Sequence, residues 1–185
     1  EGNITADSLT LINKGAVLVD NSGVGGDAGD INLNIKNNIS LDQGALILAQ
    51  VQPGATGNGG DINITAGSLE AQDNSQISAD TKGQGDAGNI TLNVEKAVTL
   101  DTGSFILTEV KENTRGNAGD IGITANALVV QNGANITAKT GGQGDAGKIT
   151  VMTNGVTNTV SLSNGGKIIS TVEDGAAGKG GNISL

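Results

Sequence analysis

The chain has no cysteine, histidine, tyrosine or tryptophan, and only one phenylalanine (Phe105), one proline (Pro53) and one arginine (Arg115). Without cysteine there is no disulfide framework and no thiolate metal site. Without histidine the commonest general base and the commonest pH switch are missing. Large aromatic side chains normally fill irregular cores, so a core without them must be narrow and regular. Flat aromatic platforms for stacking sugars are missing too. Basic residues are few: 10 against 19 acidic ones, for a formal net charge of −9. Phosphate binding needs clustered Lys and Arg, so neither nucleic acid nor an anionic membrane is expected as a partner. No stretch approaches the ~18 apolar residues of a membrane helix, so membrane insertion is not expected.

Glycine is abundant, at 31 residues, and the apolar fraction of 36% is too high and too periodic for a disordered chain. A short phrase returns seven times. It reads G-N-I at Gly2 to Ile4, G-D-A-G-D-I at Gly26 to Ile31, and G-N-G-G-D-I at Gly57 to Ile62. It returns as G-D-A-G-N-I ending at Ile90, G-N-A-G-D-I at Ile121, G-D-A-G-K-I at Ile149 and G-K-G-G-N-I at Ile183. The intervals between the anchoring isoleucines are 27, 31, 28, 31, 28 and 34 residues. Self-similarity at such a period is the signature of a solenoid.

Each interval holds three short runs of alternating apolar residues. In one repeat they are Ile90, Leu92 and Val94, then Val98 and Leu100, then Ile106, Thr108 and Val110. Period two places one set inside and the other outside. No 3.6-residue stripe is present, and β-branched residues, Asn, Thr and Gly dominate, which disfavours helices. Three strands separated by Gly, Asn and Asp turns make one coil of a parallel β-helix. Long and short intervals alternate, giving a double-coil period of 59 residues. The fold expected is therefore all-β: a single parallel β-solenoid spanning residues 1–185, three strands per coil and about six coils. At about 4.8 Å per coil, six coils make a rod of roughly 29 Å.

The turns carry their own expectations. Gly29, Gly60, Gly88, Gly119, Gly147 and Gly181 sit two residues before an anchor, where a sharp bend with positive φ favours glycine. A second turn reads Gln43-Gly44, Asn74-Ser75, Thr102-Gly103 and Asn132-Gly133. Met152 to Thr159 is an extra loop. The chain starts at Glu1 inside the repeat pattern and ends inside it, without capping segments, so it is expected to be an excerpt of a longer array.

Candidate sites follow from stacking. Calcium β-rolls carry G-G-x-G-x-D in tandem, and Gly25 to Asp30 resembles one such phrase. Asp27, Asp30 and Asp61 are the calcium candidates, but the phrase comes once per coil, so a metal-free rod is the stronger expectation. The acids lie mostly in turns rather than converging on one face as a glycan hydrolase requires, so no enzymatic activity is expected. Outward residues of the third run are apolar on alternate repeats: Leu46 and Leu48, Phe105 and Leu107, then Ile169. They form a candidate stripe for lateral association. The bland alternative is that the longer turns fold over them.

Gly116 to Ile121 and Asn132 to Ala138 (N-G-A-N-I-T-A) resemble the repeats of filamentous haemagglutinin-type exoproteins, with the large cyanobacterial adhesins nearest in pattern. The resemblance covers the whole chain. It implies a right-handed β-helix, export by two-partner secretion, and a place at the bacterial cell surface as the structural shaft of a filamentous adhesin. Attachment, biofilm and cell–cell contact are the expected roles. A fibre subunit stacking end to end is the alternative, and the stalk of a contact-dependent toxin a third. Expected partners are further copies, end to end or side by side, and a cell-surface glycan or protein receptor.

Overall fold

The computed structural model describes residues 2–155 and 158–185. Among these residues there is no helix, and every strand pairing is parallel. The chain winds through six coils, which begin at Gly2, Ile31, Ile62, Ile90, Ile121 and Ile149. The third strands of the six coils are Ala16–Asn21, Leu46–Val51, Gln76–Thr81, Phe105–Val110, Asn135–Thr140 and Lys167–Val172. They form one six-stranded sheet in coil order. First and second strands share the other, eleven-stranded sheet. In coils 2 and 3 they run on without a break as Ile31–Leu41 and Ile62–Ala71, while coil 4 divides into Ile90–Val94 and Ala97–Leu100.

Alternation builds the core as expected. Ile31, Ile62, Ile90, Ile121 and Ile149 stack in register, each at most 1% exposed. Leu33, Ile64, Leu92, Ile123 and Val151 form the next column. Burying each such side chain contributes about 1.5–3 kcal/mol. Branched side chains suit this work because one rotamer repeats from coil to coil.

The register corrects the reading of the first repeat. Gly2 pairs with Ile31 and Ile4 with Leu33, so Ile4 is not the equivalent of the later anchors. Coil 1 spans 29 residues, Gly2 to Asp30, rather than 27, and coil lengths run from 28 to 34. A slip of two residues keeps every inward side chain inward, so the apolar pattern alone does not distinguish the two registers.

The turn glycines work by a different mechanism from the one expected. Gly60, Gly88, Gly119, Gly147 and Gly181 do not have positive φ. A Cβ on Gly119 would lie 1.9 Å from the carbonyl oxygen of Gly88, and one on Gly147 1.9 Å from that of Gly119. The backbones of successive coils touch there, and only hydrogen fits. A second stack, Gly57, Gly85, Gly116 and Gly144, combines the same close approach with φ between 123 and 153°.

The second turn is where paired left-handed residues occur. Gln43 and Gly44, Asp73 and Asn74, Thr102 and Gly103, and Asn132 and Gly133 all have positive φ. Ser75 N–H donates to Gln72 O at 3.2 Å, and Ser104 N–H to Asp101 O at 3.1 Å, closing four-residue turns of the I′ type. In coil 3 the turn pair is therefore Asp73-Asn74, one residue before the Asn74-Ser75 expected. Ser75 is instead a fully buried turn-closing residue whose hydroxyl donates to Gln72 O at 2.6 Å.

Long turns follow the third strand on even coils. In coil 2 this turn tucks Ala55 against Val51 and Ala28, a small cluster separate from the main core. Of the extra loop expected at Met152 to Thr159, residues 156 and 157 lie outside the described residues. The first strand of coil 6 reaches Thr153, with Met152 57% exposed, and the second begins at Thr159.

Candidate functional site

Three surface features run along the rod. The first is a pair of side-chain ladders at the first turn. Asn58 N–H donates to Asp27 Oδ1 at 2.7 Å, Asp86 N–H to Asn58 Oδ1 at 3.0 Å, and Asn117 N–H to Asp86 Oδ1 at 2.6 Å. Asp145 N–H donates to Asn117 Oδ1 and Lys179 N–H to Asp145 Oδ1. The neighbouring ladder runs the same way through Asp30, Asp61, Asn89 and Asp120 to Lys148. Each rung needs an acceptor on a short side chain, which Asp and Asn both supply. Lysine has none, so Lys148 and Lys179 end the relay.

This geometry places all three calcium candidates. Asp30 and Asp61 are direct stack neighbours, and Asp27 lies in the adjacent ladder. One oxygen of each carboxylate is occupied by a backbone N–H of the next coil. A calcium ion takes 6–8 oxygen ligands. Among the described residues no group of three or more acidic, His or Cys side chains is placed to hold a metal. Replacing Asp86 with Ala removes the acceptor for Asn117 N–H and is expected to cost about 0.5–1.5 kcal/mol. Asp86→Asn keeps the bond and should cost much less. Urea titration of both variants checks the difference; equal losses would show that the carboxylate charge, not the acceptor, matters.

Acids also cluster along the second turn. Asp101 accepts from Gln131 Nε2 at 2.9 Å and from Asn132 Nδ2 at 2.7 Å. These bonds, with Thr102, hold its carboxyl below the usual range. Asp73 is pushed up by desolvation and then by the Asp42 carboxylate, with Asp101 adding to it. An acid with a raised folded pKa loses stability as pH climbs through that pKa. Asp73→Asn should therefore raise Tm at pH 7. Its pH-dependent gain should fade as pH drops below the unfolded carboxylate value of about 3.9. A gain that does not change between pH 7 and pH 3 would mean that charge plays no part.

The second feature is a polar recess of about 550 Å³ over the short turn of coil 5. The long turns of coils 4 and 6 wall it, and Arg115, Glu112, Asp174 and Gln143 line it. It follows from the alternation of long and short turns.

The third feature is the outer face of the third-strand sheet, where the apolar stripe lies. Its middle column reads Leu18, Leu48, Ser78, Leu107, Thr137 and Ile169 in register. Beside it run Leu46, Gln76, Phe105 and Asn135. Leu48 is 8% exposed, Leu18 at the edge 52%, and Leu46, Phe105, Leu107 and Ile169 are half-buried. Phe105 and Leu107 on one side and Ile169 on the other bound a groove of about 340 Å³, floored by Asn135 and Thr137 of coil 5.

One part of this face escaped sequence reasoning. Asp80 and Glu109 are outward and stack directly on each other, yet each is only 2% exposed. Lys111 Nζ lies 2.5 Å and Lys139 Nζ 2.9 Å from Glu109, and Lys139 reaches Glu173 at 2.7 Å. Lys82 sits 3.7 Å from Asp80, and the Ser78 hydroxyl donates to Asp80 at 3.0 Å. Burial works against the Lys139 charge, but the Glu173 and Glu109 carboxylates outweigh it and raise its pKa. The signal was present as Asp80-x-Lys82 and Glu109-x-Lys111, two residues apart and so on one face of a strand.

These features define a parallel β-solenoid whose coils are joined by Asx ladders and whose third-strand face combines apolar ridges with ion pairs. Comparison with protein-family models, curated proteins and solved structures returned no match.

Proposed function

We propose that the chain is a stretch of the stiff shaft of a secreted or cell-surface filamentous adhesin. The supporting observation is the unbroken parallel pairing through all six coils, with register kept at every third strand. Backbone bonds, Asx rungs and stacked aliphatic side chains all link one coil to the next. Such a rod extends by adding coils and keeps its cross-section, which is what a spacer requires. The repeat phrases that resemble filamentous haemagglutinin-type exoproteins support surface display and export by two-partner secretion. The shaft holds a binding region, for a glycan or protein receptor, away from the cell.

The test uses the native polypeptide on its source cells. Antibodies to this chain should label intact cells, and external protease should remove the label. In-frame removal of the rod should reduce attachment, and an unrelated solenoid of equal length should restore it. Labelling only after lysis, or failure of the length-matched replacement, would overturn the reading.

A further inference from the structure

We infer that the outer face of the third-strand sheet pairs two copies of this chain side by side and antiparallel, about a two-fold axis between coils 3 and 4. The inference rests on the fold and not on the adhesin reading, so cell location has no bearing on it.

The first support is a match of relief. Half-buried apolar ridges stand on even coils: Leu46, then Phe105 and Leu107, then Ile169. Coils 3 and 5 carry the smaller or polar Gln76 and Ser78, Asn135 and Thr137. In the antiparallel arrangement coil 1 meets coil 6, coil 2 meets coil 5 and coil 3 meets coil 4. Every ridge then faces an odd coil. Leu46 of one copy enters the groove over Asn135 and Thr137 of the other, between Phe105/Leu107 and Ile169, with the buried Leu48 opposite Thr137. Leu107 comes down on Ser78, and Ile169 meets the exposed Leu18. The arrangement is isologous, so each contact occurs twice. A parallel in-register pairing would instead set ridge against ridge.

The second support is charge. The face carries four acids (Asp20, Asp80, Glu109, Glu173) and four lysines (Lys82, Lys111, Lys139, Lys167). Taking four from 19 acids and four from 10 bases leaves 15 and six, so the whole net charge of −9 lies elsewhere. This is a neutral face on an otherwise acidic rod. Two like-charge meetings arise where coil 3 faces coil 4, Asp80 against Glu109 and Lys82 against Lys111, and the two acids are ones already covered by lysines within their own chain.

The third support is area. A face about 29 Å long and roughly 20 Å wide buries about 1,100 Å² in total, close to the ~1,000 Å² floor of specific interfaces. The pairing is therefore expected to be weak in this chain and to strengthen as coils are added.

Sedimentation equilibrium between 10 µM and 1 mM should show the mass climb from 18.2 kDa toward twice that value. Leu107→Asp should weaken association at least tenfold with an unchanged circular dichroism spectrum. Val24→Asp, at an 86% exposed site off this face, should leave it intact. Direction is read by cross-linking, which the absence of native cysteine makes clean. A bismaleimide spanning the ~10 Å between packed sheets should join Leu48→Cys to Thr137→Cys protein in a mixture, and should not join Leu48→Cys to itself. A monomer at 1 mM, association indifferent to Leu107→Asp, or efficient Leu48→Cys self-linkage would overturn the inference.

Discussion

Gly119→Ala should unfold the middle of the rod, with a loss of more than about 4 kcal/mol, at the extreme of single-site effects. The added Cβ would sit 1.9 Å from Gly88 O, and that oxygen is fixed backbone, not the end of a flexible side chain. Gly147, one coil further on, is held equally close to Gly119 O, so a shift to relieve one contact worsens the other. Gly122→Ala is the matched control. It lies three residues away in Ile121–Ala125, has ordinary φ, and its Cβ would meet nothing within 4 Å. That change should stay within about 0.5 kcal/mol. Urea denaturation of the pair gives the comparison. Similar losses in both would mean that glycine is used for chain flexibility and not for contact between coils.

Leu92→Ala should cost about 2–5 kcal/mol. Leu92 is fully buried, with Ile64 stacked below and Ile123 above. A core one coil thick cannot close the hole from the side, because both neighbours are held by their own strands. Leu162→Ala in coil 6 removes the same atoms where the side chain is already 45% exposed, and should cost less than about 1 kcal/mol. Position along the rod thus sets the magnitude, as nearest-neighbour coupling in a solenoid requires. Equal losses at the two sites would contradict a core built coil on coil.

Much of this architecture was legible because period two and a repeating phrase are local signals. Ile90, Leu92 and Val94 point inward wherever the strand sits, and the strands fall where the alternation places them. What was misread depended on contacts between coils. Ile4 was aligned with Ile31, although Leu33 is its partner, because inward positions two apart are equivalent in the pattern. Gly119 was assigned to backbone conformation, although its reason is an oxygen contributed by residue 88, which no local window contains. The turn pair of coil 3 was displaced by one residue because Asp73 and Asn74 adopt left-handed φ without glycine, whose presence marks the pair at Gly44, Gly103 and Gly133.

The surface was legible in part. Leu46, Phe105, Leu107 and Ile169 lie on one face as the alternation requires. The long turn of coil 2 packs inward through Ala55. Glu109 and Lys139 were invisible as a pair, since 30 residues separate them and only the register of Glu109 on Lys139 brings them together.

The most direct measurement is small-angle scattering of this chain beside a version with the 59-residue double coil from Ile62 to Asp120 duplicated. The duplication preserves the order of long and short turns. A stiff spacer should gain about 10 Å in length, two coils at about 4.8 Å each, with an unchanged radius of gyration of its cross-section. A wider cross-section, or a length that stays the same, would contradict a rod that grows only along its axis.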